Sequence, residues 1–209
     1  NSYEKAIVIN PNYVEAHYSL GLTFQDLGQL ENTVNSYKKV VAIKPDFAGM
    51  HNNLGNVYRE LGELDAALKS YKKAIAIKPD FFEVFYNLGI IFQELDQLGS
   101  AVKSYKDAIT INPDYCEALN NLGVVLNNLG EIDEAINCYK SAIAINPDYS
   151  EAHNNLGIVL KELDKLDAAA DCHEKAIAIK PDFIEAHNNL GIIYLDLNQL
   201  SQAAKSFEQ

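Results

Sequence analysis

The sequence predicts an all-α protein assembled from repeated helix pairs, and three observations lead there. All six prolines, Pro11, Pro45, Pro79, Pro113, Pro147 and Pro181, recur at 34-residue intervals. A Leu-Gly step recurs at the same interval, from Leu20 and Gly21 to Leu190 and Gly191. Between these landmarks the apolar and small residues follow helical rather than strand spacing. With 48% hydrophobic and 22% charged residues the composition is that of a folded globular chain, and 11 glycines and 6 prolines exclude a collagen-like or low-complexity one.

Each element follows from the register. Units starting at Val14, Ala48, Phe82, Cys116, Ser150 and Ile184 keep every landmark aligned. They give full repeats over 14–47, 48–81, 82–115, 116–149 and 150–183, a partial one over 1–13 that ends a second helix, and a partial one over 184–209. In the fourth full unit the first helix, A, presents Ala118, Leu122, Gly123, Val125, Leu126 and Leu129 on one stripe. At about 100° per residue the third, seventh, tenth, eleventh and fourteenth positions of a unit fall in one core-facing sector. After a turn at Gly130, Ile132, Ala135, Ile136, Tyr139, Ala142, Ile143 and Ile145 repeat the stripe as helix B, which Pro147 ends. Gly123 and Ala135 stand where two backbones must approach closely. Asp148 is the expected N-cap of the next helix A, with Glu151 as its capping-box partner. The pairs Asp80 and Glu83, Asp114 and Glu117, and Asp182 and Glu185 repeat that arrangement.

Taken together, these residues resemble the tetratricopeptide repeat. The pattern comprises Leu and Gly in helix A, a large residue at Phe24, Tyr58, Phe92, Leu126, Leu160 and Tyr194, alanine early and late in helix B, an aromatic at Tyr37, Tyr71, Tyr105 and Tyr139, and the closing proline. It covers essentially the whole chain. Thr33 and Val40 depart from the two alanines in the first full unit, and the usual tryptophan of helix A is absent. The resemblance implies a right-handed α-α superhelix, a solenoid of helix-turn-helix repeats, with helices A lining its concave side.

A repeat cannot bury its apolar face alone, so stacking produces one continuous core and a groove whose lining recurs with each unit. The sixth residue of the unit faces away from the core, yet it is Asn53, Asn87, Asn121, Asn155 and Asn189, interrupted only by Ser19. An amide row of this kind pairs with peptide main chain irrespective of its side chains. The competing reading is that each amide bonds a neighbouring helix A and fixes the stacking angle; both can hold. The row is similar to that of the tetratricopeptide arrays of O-GlcNAc transferases, which implies that these five asparagines bind peptide backbone. Asn52, Asn120, Asn154 and Asn188 precede four of them, with Tyr18 and Tyr86 in the other units. The ninth residues, Leu22, Asn56, Ile90, Val124, Ile158 and Ile192, form a mostly aliphatic row that either contacts adjacent helices A or floors the ligand site. Peptide-binding candidates are therefore Asn53, Asn87, Asn121, Asn155, Asn189, Asn120, Asn154, Asn188, Tyr86, Ile90, Val124 and Ile158. Glu and Asp at the second and thirteenth positions make the groove acidic and favour a neutral-to-basic extended segment. Only Arg59 and Lys161 offer positive charge there, which argues against docking of acidic chaperone tails.

The formal charge of −12 works against nucleic acid or anionic lipid, and no apolar run approaches the roughly 18 residues of a membrane span. His17, His51, His153 and His187 share one position with Phe85 and Leu119, and His173 shares another with the tyrosines, so the histidines read as packing residues rather than metal ligands or bases. Cys138 and Cys172 replace serines, and adjacent repeats place them badly for a bridge. No nucleotide-binding loop, nucleophile elbow or unique carboxylate pair points to catalysis, a metal or a cofactor. The expectation is a non-catalytic interaction module, a fragment of a longer protein, in a reducing, cytoplasmic setting. Two alternatives remain. It is the substrate-recognition arm of a larger enzyme such as a glycosyltransferase, or it self-assembles by homo-oligomer contacts through exposed repeat ends.

Overall fold

The computed structural model describes residues 2–208. These form α1 Ser2–Ile9, α2 Val14–Asp26, α3 Leu30–Ile43, α4 Ala48–Glu60, α5 Leu64–Ile77, α6 Phe82–Glu94, α7 Leu98–Ile111, α8 Cys116–Asn128, α9 Ile132–Ile145, α10 Ser150–Glu162, α11 Leu166–Ile179, α12 Ile184–Asp196 and α13 Leu200–Phe207. No strand occurs among the described residues. From α2 onward the even-numbered helices are helices A and the odd-numbered ones helices B, each pair closed by a short turn. The chain divides into two compact units, Asn1–Ile111 and Asn112–Gln209.

Within each pair the glycine of helix A meets the aromatic of helix B. A Cβ on Gly55 would lie 2.5 Å from Cε1 of Tyr71, and one on Gly123 would lie 2.6 Å from Cε1 of Tyr139. The ring therefore occupies the space a side chain would take, which lets the two backbones close on it. Tyr37, Tyr71, Tyr105 and Tyr139 are buried and are among the largest fully enclosed side chains. Around them, in the first unit, Val40, Met50, Val57, Ala67, Ala74, Val84 and Ile91 form one core. In the second, Ala169, Leu190, Ile193 and Ala203 pack together with Tyr194.

The turn between A and B requires a left-handed residue. Gly28, Gly62 and Gly130 supply it with φ of 68°, 75° and 79°, whereas Asp96, Asp164 and Asn198 adopt φ of 56° to 59° without glycine's freedom. At the B-to-A connection the side-chain chemistry alternates. Where asparagine precedes proline, its Oδ1 accepts the backbone N–H two residues on, as in Asn146 to Asp148 at 3.1 Å and Asn10 to Asn12 at 3.1 Å. At two of the three places where lysine precedes it, the ammonium covers the phenylalanine three residues on, Lys78 over Phe81 at 4.6 Å and Lys180 over Phe183 at 5.1 Å.

Two local expectations are corrected. The N-caps of helices A are the aromatic residues Tyr13, Phe47, Phe81, Tyr115, Tyr149 and Phe183, none of which makes a side-chain capping bond. Asp148, Asp80, Asp114 and Asp182 lie one residue too early, inside the proline turn. Their glutamate partners sit in the first helical turn, where a negative charge meets the helix dipole without a box. The fourteenth-position leucines divide: Leu61 and Leu197 pack, partly buried, against the cores of their units, whereas Leu27 and Leu129 turn outward. Each helix A ends at its thirteenth residue, and the leucine that follows is the C-cap, 63% exposed at Leu27 and 44% at Leu129.

Candidate functional site

The asparagine row lies on helices A and is half-buried, and Asn87, Asn155 and Asn189 bond from their helix A to the one before. In the first unit Asn87 Nδ2 donates to Asn52 Oδ1 at 3.0 Å and to Asn56 Oδ1 at 3.1 Å. In the second, Asn155 Nδ2 donates to Asn120 Oδ1 at 2.9 Å and Asn189 Nδ2 to Asn154 Oδ1 at 3.2 Å. The 34-residue repeat places the sixth residue of one unit beside the fifth of the preceding one, hence the 35-residue separation. Each of these three amides is committed through Nδ2, and its carbonyl oxygen accepts no bond among the described residues. Asn53 faces a unit whose fifth residue is Tyr18 rather than asparagine, and it makes no hydrogen bond among the described residues.

The fifth-position amides divide. Asn120 and Asn154 are 5% and 2% exposed, so they are enclosed between helices. Asn120 Nδ2 reaches Asn121 Oδ1 at 3.3 Å, and Asn154 Nδ2 reaches Glu185 Oε1 at 3.4 Å. Asn188 is exposed. Tyr86 tilts against Tyr105 with ring centroids 5.8 Å apart, and Tyr18 stacks on Tyr37 at 6.0 Å. Ile90, Val124 and Ile158 are half-buried. The structure thus brings the sixth-position amides together with the fifth-position acceptors and draws Asn120 and Asn154 inward.

Sequence reasoning overlooked the acceptors of the buried tyrosines. Tyr37 donates to Gln25 Oε1 at 3.0 Å, Tyr105 to Gln93 Oε1 at 2.9 Å and Tyr71 to Asn56 Oδ1 at 2.6 Å. Asn56 therefore accepts from both Tyr71 and Asn87. A signal for it existed, since Asn56 is the only polar residue in an otherwise aliphatic ninth row. In the fourth full unit the equivalent of Gln25 is Asn127, one methylene shorter, and its Oδ1 is buried without a partner. Burial pushes the Tyr37 phenol up to about 12, with lesser contributions from Tyr18 and nearby carboxylates.

The histidines hold structure. His17, His51, His153 and His187 each place Nε2 at 2.8–3.0 Å from the carbonyl of the proline six residues earlier. That bond ties the connecting turn to the new helix. His173 is fully buried in the tyrosine slot, donating Nδ1–H to Asn154 Oδ1 at 3.0 Å. Its Nε2 has no partner, and burial lowers its pKa to about 4. No disulfide joins the described cysteines. No group of three or more His, Cys, Asp or Glu among the described residues could hold a metal ion, and none of the described helices is long and apolar enough to cross a membrane.

Helices A carry ten carboxylates and two cations. Both cations are paired with the next helix A, Arg59 with Glu94 at 4.0 Å and Lys161 with Asp196 at 3.4 Å. The helix A face is consequently acidic, with its positive charge already matched.

Glycine-against-aromatic helix pairs stacked through interhelical amides define a helical repeat scaffold, a fold consistent with protein-protein interaction. Family models described as TPR repeat match residues 1–28, 24–62, 55–96, 125–164 and 159–198, and further tetratricopeptide repeat models match 82–115 and 104–137. The chain belongs to the tetratricopeptide repeat family.

Among solved structures it is similar to that of MamA, at 30% identity over 74% of this chain and 91% of that one, with a TM-score of 0.68. YrrB, described as a TPR protein with an unusual peptide-binding site, is 24% identical over 96% and 99% of the two chains, with a TM-score of 0.69. PilF of Pseudomonas aeruginosa is 18% identical over 99% and 90%, with a TM-score of 0.81. The last two share the fold alone. A search of curated proteins finds no match.

Proposed function

We propose that this chain is a protein-interaction scaffold that holds an extended segment of a partner along its helices A, in the groove they line. One observation carries the reading. The inter-repeat bonds orient Asn155 and Asn189 through one Nδ2 bond each, and Asn87 through two, while leaving each carbonyl oxygen unbonded. Such an amide presents an acceptor, and in Asn155 and Asn189 a second N–H, to a guest backbone without giving up its structural bond. Stacking and recognition are then two uses of the same side chain. Asn53, with no internal partner, offers both its donors and its acceptor.

The exposed and half-buried candidates, Asn53, Asn87, Asn121, Asn155, Asn189, Asn188, Tyr86, Ile90, Val124 and Ile158, would contact the guest. The enclosed Asn120 and Asn154 would act by holding the row in register. The surplus of carboxylates on helices A favours a neutral-to-basic segment. The peptide-binding site in the description of YrrB accords with this role. To test it, peptides selected from a phage-displayed 12-residue library are measured by fluorescence anisotropy against wild type and the Asn121→Ala, Asn155→Ala double variant. Affinity should fall at least about tenfold, with the circular dichroism spectrum unchanged. Unaltered affinity in a folded double variant sinks the row as a binding device.

A further inference from the structure

The first unit has a second recognition feature on the opposite helices. Between α3, α4 and α5 lies a cleft of about 330 Å³. Its floor includes Leu54 and Tyr58, both buried, and half-buried Val41; Lys38, Lys69 and Lys73 stand exposed at its rim. A neighbouring hollow of about 450 Å³ on α5 shares Lys69 and Lys73 and adds Lys72, with Asp65 the only carboxylate lining either cavity. None of these four lysines is ion-paired among the described residues. Lys38 instead rests its ammonium 5.6 Å from the ring centre of Tyr58. Lys69 and Lys73, one turn apart on α5, repel each other, and Asp65 is the one carboxylate on that helix to set against its three lysines.

Packing does not require these cations, because the repeat supplies its own control. The equivalent cleft 136 residues later, between α11, α12 and α13, is lined by Ile177, Leu190 and Tyr194 at the places of Val41, Leu54 and Tyr58, and has a volume of about 500 Å³. There the counterpart of Lys38 is Glu174, which accepts a hydrogen bond from the Tyr194 hydroxyl, while Lys205 keeps the place of Lys69. The same architecture thus tolerates either sign at the rim position of Lys38. Across α3, α5 and α7 seven lysines face three carboxylates, although the whole chain carries −12.

We propose that the cleft between α3, α4 and α5 docks an acidic segment of a partner protein, with an aromatic or aliphatic side chain on the Tyr58 floor and flanking carboxylates on Lys38, Lys69 and Lys73. Charge complementarity selects the sign, and the apolar floor selects a segment with a hydrophobic residue among its acids. A long polyanion is disfavoured, because the net negative charge of the chain repels it beyond the local patch, whereas a short segment meets only the lysines within about 10 Å, one Debye length. This site is distinct from the amide row and would be occupied independently of it.

The test uses the whole chain and fluorescein-labelled 12-residue peptides with four Glu around a central Phe, Leu or Ala, each paired with its Gln counterpart. Fluorescence anisotropy should show the Phe and Leu peptides binding at least about tenfold more tightly than their Gln forms and more tightly than the Ala peptide, with the preference shrinking at high salt. Lys38→Glu with Lys73→Glu should remove that preference, and the milder Lys38→Gln, at an exposed site, should weaken it if the reversal disturbs folding. Asn121→Ala with Asn155→Ala should leave it intact. Equal affinity for Glu and Gln peptides overturns the proposal. So does tighter binding to phosphatidylserine vesicles or to a single-stranded oligonucleotide than to the peptide, or full retention of binding in a folded Lys38→Glu, Lys73→Glu protein.

Discussion

The two compact units present the same cleft with different charge at its rim, three lysines in the first and one glutamate with one lysine in the second. The first unit holds 11 basic and 13 acidic residues, the second 6 and 16, so nearly all of the net charge resides in the second. In the first, a lysine covers the cleft tyrosine; in the second, a glutamate accepts its hydroxyl proton in a hydrogen bond. Burial, reinforced by that bond to Glu174, pushes the Tyr194 phenol up to about 12. The tyrosine slots differ as well. Tyr71 is buried with its hydroxyl bonded to Asn56, whereas His173 occupies the same place with one ring nitrogen unpartnered. The glycine-aromatic framework fixes the shape, and positions outside it can change sign or polarity without changing the backbone.

The largest effect should come from emptying the aromatic slot. Tyr71→Ala removes a fully buried ring and should cost roughly 3–5 kcal/mol in chemical denaturation; a loss under about 1 kcal/mol would show that the slot collapses and is not the keystone of the pair. The second unit should respond to pH where the first does not. Because folding lowers the pKa of His173 from 6.5 to about 4, its contribution is present above pH 6.5 and disappears as pH falls toward 4. The loss should approach roughly 3 kcal/mol. His173→Phe should flatten that part of the profile, and identical pH dependences for the two proteins would contradict the assignment.

Filling the glycine gap should come next in size. Gly89→Ala sets a Cβ 2.5 Å from Cε1 of Tyr105 and should destabilise by about 1–3 kcal/mol, visible as a lower thermal midpoint. Asn154→Ala strips a shared acceptor from His173 and Asn189, with an expected cost also of about 1–3 kcal/mol. Asn188→Ala, exposed at the neighbouring fifth position, should change stability by less than about 0.5 kcal/mol, and equal effects would erase the distinction between enclosed and exposed amides. The smallest change is a gain: Asp164→Gly relieves a left-handed backbone and should stabilise by several tenths of a kcal/mol.

Helix positions, the pairing of Gly123 with helix B and the packing role of the histidines were legible in the repeat register, because each is a local or periodic property. The capping assignment failed because an aspartate next to proline reads as a cap in sequence, yet the turn geometry gives that place to the aromatic that follows. The fourteenth-position leucine meets the core at Leu61 and Leu197 but not at Leu27 or Leu129, because it lies one residue past the end of helix A, where the helical wheel no longer fixes its direction. Asn87, Asn155 and Asn189 were identified as a row, but their bonding to the fifth position could not be read from either helix alone.

The sequence by itself determined the 34-residue repeat, the alternation of helices and the acidic balance of helices A, since periodicity and charge are written along the chain. Folding was needed to set the amide nitrogens of Asn87, Asn155 and Asn189 between repeats while sparing their carbonyls, and to gather Lys38, Lys69 and Lys73 at one cleft where Glu174 stands in the other. Those outcomes depend on which side chains from separate helices come within a few ångströms of one another, and that is fixed by packing rather than by spacing along the chain.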